Sequence, residues 1–188
     1  MNSAPKLTVE SYERLVAGLR GGTVLTVDYF VLMTGDEGIT PDEWDYGTWH
    51  EPTMGIELTM DPGVTYSATW NHTFGLYGLE LYRAPMSDFL LNIGNPGGSA
   101  RISATDHPLW AGIIATPIES CHILWSDQEY GPAIHIPEAV QLRTATGQVW
   151  IAAGRSAGDP SSGLFHLGTD DVLVAFDTET AIHAGLKT

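Results

Sequence analysis

Seven histidines supply the side chains that most readily bind metals or transfer protons near neutral pH. They are His50, His72, His107, His122, His135, His166 and His183. A metal site could combine His50, Glu51 and His72, and an acid such as Asp106 or Asp170 could complete it. No HExxH, HxH or other short ligand spacing joins these residues. The histidines are therefore predicted to be structural or exposed, and the sequence assigns no metal ligand, no cofactor and no catalytic residue.

One segment, residues 35–53 (Gly35 to Thr53), has the composition of a contact surface and is called the acidic loop below. It holds six acids, three aromatic residues and a histidine, with no Lys or Arg: Asp36, Glu37, Asp42, Glu43, Trp44, Asp45, Tyr46, Trp49, His50 and Glu51. Trp and Tyr often anchor interfaces, and clustered carboxylates favour basic partners. We expect this loop to bind a basic protein. The competing interpretation is that its rings cover the core while its acids are merely solvated.

A second candidate site is a cavity inside a β-barrel. Its predicted lining is Tyr66, Trp70, His72, Trp150 and His166. His72 and His166 follow two corresponding hairpins, so they are the acid–base candidates of this site. The competing interpretation is ordinary turn chemistry, in which nearby Asp and Thr side chains bond the local backbone. The cavity would make the protein a small-molecule binder or an enzyme.

Other familiar catalytic patterns are missing from the sequence. It contains no G-x-S-x-G, no GxGxxG and no GxxxxGK[ST]. Cys121 is the single cysteine, which excludes an intramolecular disulfide and any multi-cysteine metal site. Because it lies among apolar residues, we expect it to be a small buried hydrophobe.

The net charge of the chain limits the classes of partner that the protein is expected to bind. The 188 residues include 23 Asp and Glu against 8 Lys and Arg, a formal net charge of -15. This field repels nucleic acid and anionic lipid, and it favours basic partners, cations or solubility. Hydrophobic residues make up 43% of the chain and charged residues 16%, as in a packed globular protein. With no predicted secretory signal or membrane span, the expected location is cytoplasmic.

Hydrophobic spacing and turn residues predict a mixture of strands and short helices. In the first half we expect a helix from Thr8 to Gly21, a strand over 23–33, a hairpin over 56–70, a strand over 76–82 and a short helix between Pro85 and Gly94. The second half repeats this order: a helical turn over 106–110, a strand over 118–125, a hairpin over 140–153, a strand over 171–176 and a helix capped by Asp177.

This repetition predicts an internal duplication within one domain, residues 1–188. Residues 8–94 and 105–188 are the expected copies, joined by a linker over 95–104. Laid together without a gap, the hairpins align Ile56 with Val140, Gly63 with Gly147 and Tyr66 with Trp150. The predicted class is α+β, mainly antiparallel β. Two similar helix–strand–hairpin–strand–helix halves would form eight strands, in a barrel-like or a two-sheet arrangement.

The copies differ most between the first strand and the hairpin, where the first is longer by about ten residues. A long structureless loop is usually either functional or mobile, and the core does not require this one because the second copy lacks it. We therefore predict a non-catalytic acidic protein-binding module, an inhibitor or immunity-type protein or an adaptor, that engages a basic partner through the acidic loop. The alternatives are the ligand-binding or catalytic cavity, and an oligomer-forming subunit.

Overall fold

A computed structural model describes residues 7–34, 39–126, 135–157 and 164–186, so Asp36 and Glu37 of the acidic loop lie outside the described residues. The helices are α1 (Val9–Ala17) and α2 (Thr178–His183). The strands are β1 (Val24–Thr34), β2 (Thr40–Pro41), β3 (Trp49–His50), β4 (Gly55–Met60), β5 (Val64–Asn71), β6 (Gly78–Tyr82), β7 (Ser99–Ser103), β8 (Ile118–Trp125), β9 (Pro137–Thr144), β10 (Gln148–Ser156) and β11 (Phe165–Ala175).

The strands form two antiparallel sheets. In the first sheet the order is β2-β1-β4-β5-β6, and β7 also pairs with β1. In the second sheet the order is β3-β11-β10-β9-β8. The mainly antiparallel β class is confirmed, and of the two predicted arrangements the described strands show two sheets. Three short strands, β2, β3 and β7, add to the eight that were predicted.

Most of the apolar side chains are buried between the two sheets, and α1 lies against β6 and β8. Among the largest fully buried residues are Tyr12, Tyr29, Phe30 and Trp110. A second apolar cluster contains Trp150 of β10 and Ala181 of α2. This cluster occupies the opposite face of the second sheet, because side chains of successive strand residues point to opposite faces.

The helix ends follow local chemistry. The Oγ1 atom of Thr8 accepts a hydrogen bond from the Ser11 amide at 3.2 Å, and the carboxylate of Asp177 accepts one from the Thr180 amide at 2.7 Å. Both predicted caps are confirmed, because a side-chain oxygen at the N-cap satisfies an amide that has no partner in the helix. The helix predicted to begin at Pro85 is wrong beyond a single 3-10 turn, Met86–Asp88. No helix of the described chain has the length and apolar character to cross a lipid bilayer.

Each half contains four consecutive antiparallel strands, β1-β4-β5-β6 and β8-β9-β10-β11. Tyr29 pairs with Ile56 in the first, as Ile123 pairs with Val140 in the second. This likeness agrees with the predicted order of elements, while the duplication itself stays a prediction. The predicted linker over 95–104 contains strand β7, whose five residues pair with β1.

The ungapped alignment of the hairpins is wrong by one residue in its second strand. Met60 pairs with Val64, which leaves three residues in the first turn, whereas Arg143 pairs with Gln148, which leaves four. A slip of one residue moves a side chain to the other face of a sheet. Tyr66 accordingly belongs to the core between the sheets, and Trp150 belongs to the cluster on the opposite face of the second sheet.

Candidate functional site

The acidic loop bridges the two sheets. Its strand β2 pairs with the end of β1 in the first sheet, and its strand β3 pairs with β11 in the second. Trp49 lies opposite Ala175, and His50 lies opposite Val174. The described part of the loop, residues 39–53, therefore has fixed backbone partners at both ends and is not the structureless connection that its sequence suggested.

Part of the predicted contact surface is buried. Trp49 is 5% exposed, and its ring stacks on Tyr46 with 4.2 Å between centroids. His50 is completely buried, and Glu51 is 9% exposed. Trp44 is half-buried and packs against the core. The prediction that Trp49 and His50 are exposed contact residues is wrong, because β3 places them beneath the loop as part of the second sheet.

The outer side of the loop meets the middle of β11 in a group of carboxylates called the carboxylate face. Its members are Asp42, Glu43, Glu51, Asp170 and Asp171. Glu43 and Asp170 are exposed, and Asp42 and Asp171 are half-buried. The Ser156 amide donates a hydrogen bond of 3.0 Å to Oε2 of Glu51, which fixes that carboxylate at the end of β10.

Mutual repulsion and burial disturb the ionisation of this group. Burial, with Glu51 and Asp170 nearby, raises the pKa of Asp171 to about 6. Burial also raises the pKa of Glu51. The pKa of Tyr46 rises to about 12 through burial and the nearby carboxylates. The guanidinium of Arg155 opposes these effects, but its Nη1 atom stays 3.9 Å from the Asp171 carboxylate. Negative charge at this face is therefore only partly balanced within the described chain.

The inner side of the loop contributes to a second group, called the His–Asp–His cluster, which consists of Asp45, His50 and His107. One ligand atom from each residue lies within 4.8 Å of the others. The His107 Nε2 atom is 3.3 Å from one carboxylate oxygen of Asp45, and the His50 Nε2 atom is 3.6 Å from the other. Asp45 thus presents one oxygen to each imidazole.

Hydrogen bonds behind His50 hold its ring in place. The Trp110 indole donates to the Tyr29 hydroxyl at 2.7 Å, and this hydroxyl lies 2.7 Å from the Nδ1 atom of His50. The Tyr29 oxygen accepts the indole bond and has a second lone pair, so it accepts from Nδ1–H or donates its own proton to Nδ1 according to the tautomer of His50. The Nε2 atom, on the other side of the ring, is buried and has no hydrogen-bond partner among the described residues.

The surroundings set the charges of the cluster. Burial, followed by the proximity of His107, lowers the pKa of His50 to about 4, so this ring is neutral at pH 7. A 2.9 Å hydrogen bond from the Gly47 amide lowers the pKa of Asp45 and keeps it ionised. The Trp44 ring lies edge-on to His50 with 5.1 Å between centroids, and Phe176 packs on the same imidazole at 4.9 Å. A neutral imidazole that packs against aromatic rings therefore faces an ionised carboxylate.

Sequence reasoning named Asp45 and His50 but did not join them to His107. His107 lies 62 positions from Asp45, at the start of the 3-10 helix Pro108–Trp110. The predicted helical turn there is confirmed, and it is this turn that presents the imidazole to the loop. No short-range spacing could have identified the set, because its members meet only through tertiary packing.

The other predicted sites are not assembled. Tyr66 and Trp150 lie in different apolar clusters, Trp70 donates to the Thr53 carbonyl, and His72 and His166 are exposed. Two surface cavities, of about 280 and 520 Å³, are lined by other residues. Across the described ranges, the ligand atoms of the His–Asp–His cluster lie close enough to share one ion, whereas His50, Glu51 and His72 form no such group.

Comparisons with protein-family models, with curated proteins and with solved structures find no match to this chain.

Proposed function

We propose that the protein is a non-catalytic binding module that engages a basic protein segment through the carboxylate face. The observation that carries the proposal is the gathering of five carboxylates where the acidic loop meets β11, with the Arg155 guanidinium 3.9 Å from Asp171. Burial and the adjacent carboxylates also raise the pKa of Asp171 to about 6. A guanidinium or ammonium group placed here would relieve the repulsion between these acids. Arginine suits the face best, since its planar donors match two carboxylate oxygens at once.

The arrangement of the loop supports binding without large rearrangement. Both ends of the described loop are held by strand pairing, and Tyr46 rests on the buried Trp49 ring. The hydroxyl of Tyr46 donates to the Glu43 carbonyl at 3.0 Å, which holds its ring beside the acids. Such a pre-formed surface loses little conformational entropy when a partner binds. The sequence suggested that Trp44, Tyr46 and Trp49 would all supply aromatic contacts to a partner. In this proposal Tyr46 supplies most of them.

An inhibitor, an immunity-type protein or an adaptor would use the face in the same way. Its net charge of -15 would draw a cationic partner toward the molecule, and the local acids would then fix the orientation. This long-range electrostatic attraction weakens as salt screens the charges. The association rate should therefore fall steeply with ionic strength, while a mutation in the face should also remove contacts of the bound partner and lower the affinity.

The test compares two triple variants of equal charge. One is Asp42→Asn, Glu43→Gln and Asp170→Asn in the face, and the other is Glu10→Gln, Glu13→Gln and Glu119→Gln at exposed positions elsewhere. Titration with an arginine-rich peptide, with a lysine-rich peptide as comparison, should show at least tenfold weaker binding for the face variant alone. Equal weakening by both variants would mean that net charge, and not this face, attracts the peptide.

A further inference from the structure

We propose that Asp45, His50 and His107 form a binding site for one divalent transition-metal ion, with zinc as the best match. Two imidazole nitrogens and a carboxylate are a ligand set that zinc and ferrous iron use in proteins. The proposal is independent of the carboxylate face, which shares none of these three residues. It assigns a role to a cluster that protein binding does not need.

The separations between the ligand atoms allow one ion to contact all three residues. The His107 Nε2 atom makes a 3.3 Å hydrogen bond to one Asp45 oxygen, and the His50 Nε2 atom lies 3.6 Å from the other oxygen. The longer separation exceeds a normal hydrogen bond, so Nε2 of His50 faces the carboxylate without bonding to it. One ligand atom from each residue lies within 4.8 Å of the others, and two ligand atoms about 2.05 Å from a tetrahedral ion lie roughly 3.4 Å apart, so binding requires the side chains to move closer together.

The unpartnered Nε2 atom of His50 is the second observation. A buried polar atom without a partner costs about 1–3 kcal/mol, so such atoms are rare in folded proteins. This atom belongs to a completely buried side chain and points at Asp45. An ion at Nε2 would supply the missing partner, with the proton of the neutral imidazole on Nδ1. Nδ1–H then donates to the Tyr29 oxygen, whose second lone pair accepts the indole bond, and such an outer hydrogen bond orients metal-binding imidazoles in proteins.

His107 must give up two weak contacts. Its Nδ1 atom accepts a hydrogen bond from the Leu109 amide at 3.3 Å, which places the ring proton on Nε2 before an ion arrives. Coordination by Nε2 requires that proton to move to Nδ1, so the bond from Leu109 and the 3.3 Å hydrogen bond to Asp45 are both lost. The side chains of His107 and Asp45 are 22% and 42% exposed, so the ion can reach the cluster from their side. Three protein ligands also leave a tetrahedral position open for water.

The test uses the full chain, without a histidine tag and after chelator treatment, titrated with ZnCl2 in a calorimeter. We expect one saturable ion per chain, and at least tenfold weaker binding in Asp45→Asn and in His107→Gln. His72→Gln and His166→Gln are matched controls, because both histidines are exposed and neither belongs to the His–Asp–His cluster. Both controls should bind as the wild type does. Thermal unfolding in EDTA would show that each variant is folded.

A bound Co²⁺ ion should also quench the emission of Trp44, whose ring lies 5.1 Å from that of His50, and Trp44→Phe should reduce this quenching. Absence of saturable Zn²⁺ binding would overturn the proposal, as would equal affinity of Asp45→Asn, His107→Gln and the wild type. Mg²⁺ at the same concentration should not compete, because it prefers oxygen ligands.

Discussion

The Tyr29 hydroxyl links Trp110 to His50, with 2.7 Å on each side. All three side chains are fully buried, so each of these hydrogen bonds replaces a contact with water that folding has removed. The hydroxyl also stands directly behind the His–Asp–His cluster. Tyr29 therefore contributes to the stability of the core and sets the orientation of the buried imidazole.

Replacing Tyr29 with Phe should destabilise the protein by about 2–4 kcal/mol, because two buried nitrogen atoms would lose their partner. Urea unfolding followed by tryptophan fluorescence measures this difference. Tyr46→Phe is the matched control, since it removes a hydroxyl whose bond to the Glu43 carbonyl is exposed. The control should change stability by less than about 0.5 kcal/mol. Similar losses in both variants would contradict the buried chain of hydrogen bonds.

Asp171 should make stability depend on pH in the direction opposite to that of a salt-bridged acid. Its pKa rises from 3.8 in the unfolded chain to about 6 in the folded one, so between these values the folded state retains a proton that the unfolded state has lost. Stability from this group is fully present below pH 3.8 and decreases as pH rises toward 6. Above pH 6 the whole penalty of ionising Asp171 applies.

Asp171→Asn removes that penalty and should stabilise the protein at pH 7.5 by about 1–2 kcal/mol, after allowance for solvent screening. The gain should shrink toward zero near pH 4. Urea unfolding of both proteins at several pH values gives the comparison, and Asp106→Asn makes the same chemical change at an exposed position. A gain that stays constant from pH 4 to 7.5 would show that repulsion at the carboxylate face is not its cause.

Features that depend on neighbouring residues were predictable from the sequence. Thr8 and Asp177 cap their helices because a polar side chain needs only the next three amides to form its bond. The alternation that begins at Ile56 predicted a hairpin, and β4 and β5 form it. The pairings of β4 with β5 and of β9 with β10 follow from the same local signals, since a short turn makes consecutive strands neighbours.

The hairpin turns show where such local signals mislead. Gly63 and Gly147 occupy the same place in the ungapped alignment, but only Gly63 has a positive φ, +98°. At Gly147, a Cβ atom would lie 2.9 Å from the Cα atom of Gly112, so close backbone approach is what requires glycine. Glycine is therefore required for two different reasons, a positive φ in the first turn and a close backbone approach in the second. Sequence alone could not reveal that the turns differ by a residue and place Tyr66 and Trp150 on different faces.

The site was harder to predict because its residues meet through long-range packing. His107 reaches Asp45 across 62 positions, and Trp49 pairs with Ala175 across the whole second half of the chain. No pattern of neighbouring residues in the sequence predicts either contact. The composition of the acidic loop correctly marked the region, but it could not tell which side chains face inward.

A substitution of Trp49 distinguishes a structural role from a binding role most clearly. Its ring is 5% exposed and packs between Tyr46 and Phe165, with centroids 4.2 and 5.0 Å away. Trp49→Ala should therefore cost about 3–5 kcal/mol in urea unfolding, as expected for a large ring removed from a core. Leu91→Ala is the control, because Leu91 is 84% exposed and should change stability by less than about 0.5 kcal/mol. If Trp49→Ala instead kept full stability and lost only affinity for an arginine-rich peptide, the ring would be a direct contact of the partner and the buried position of β3 would be wrong.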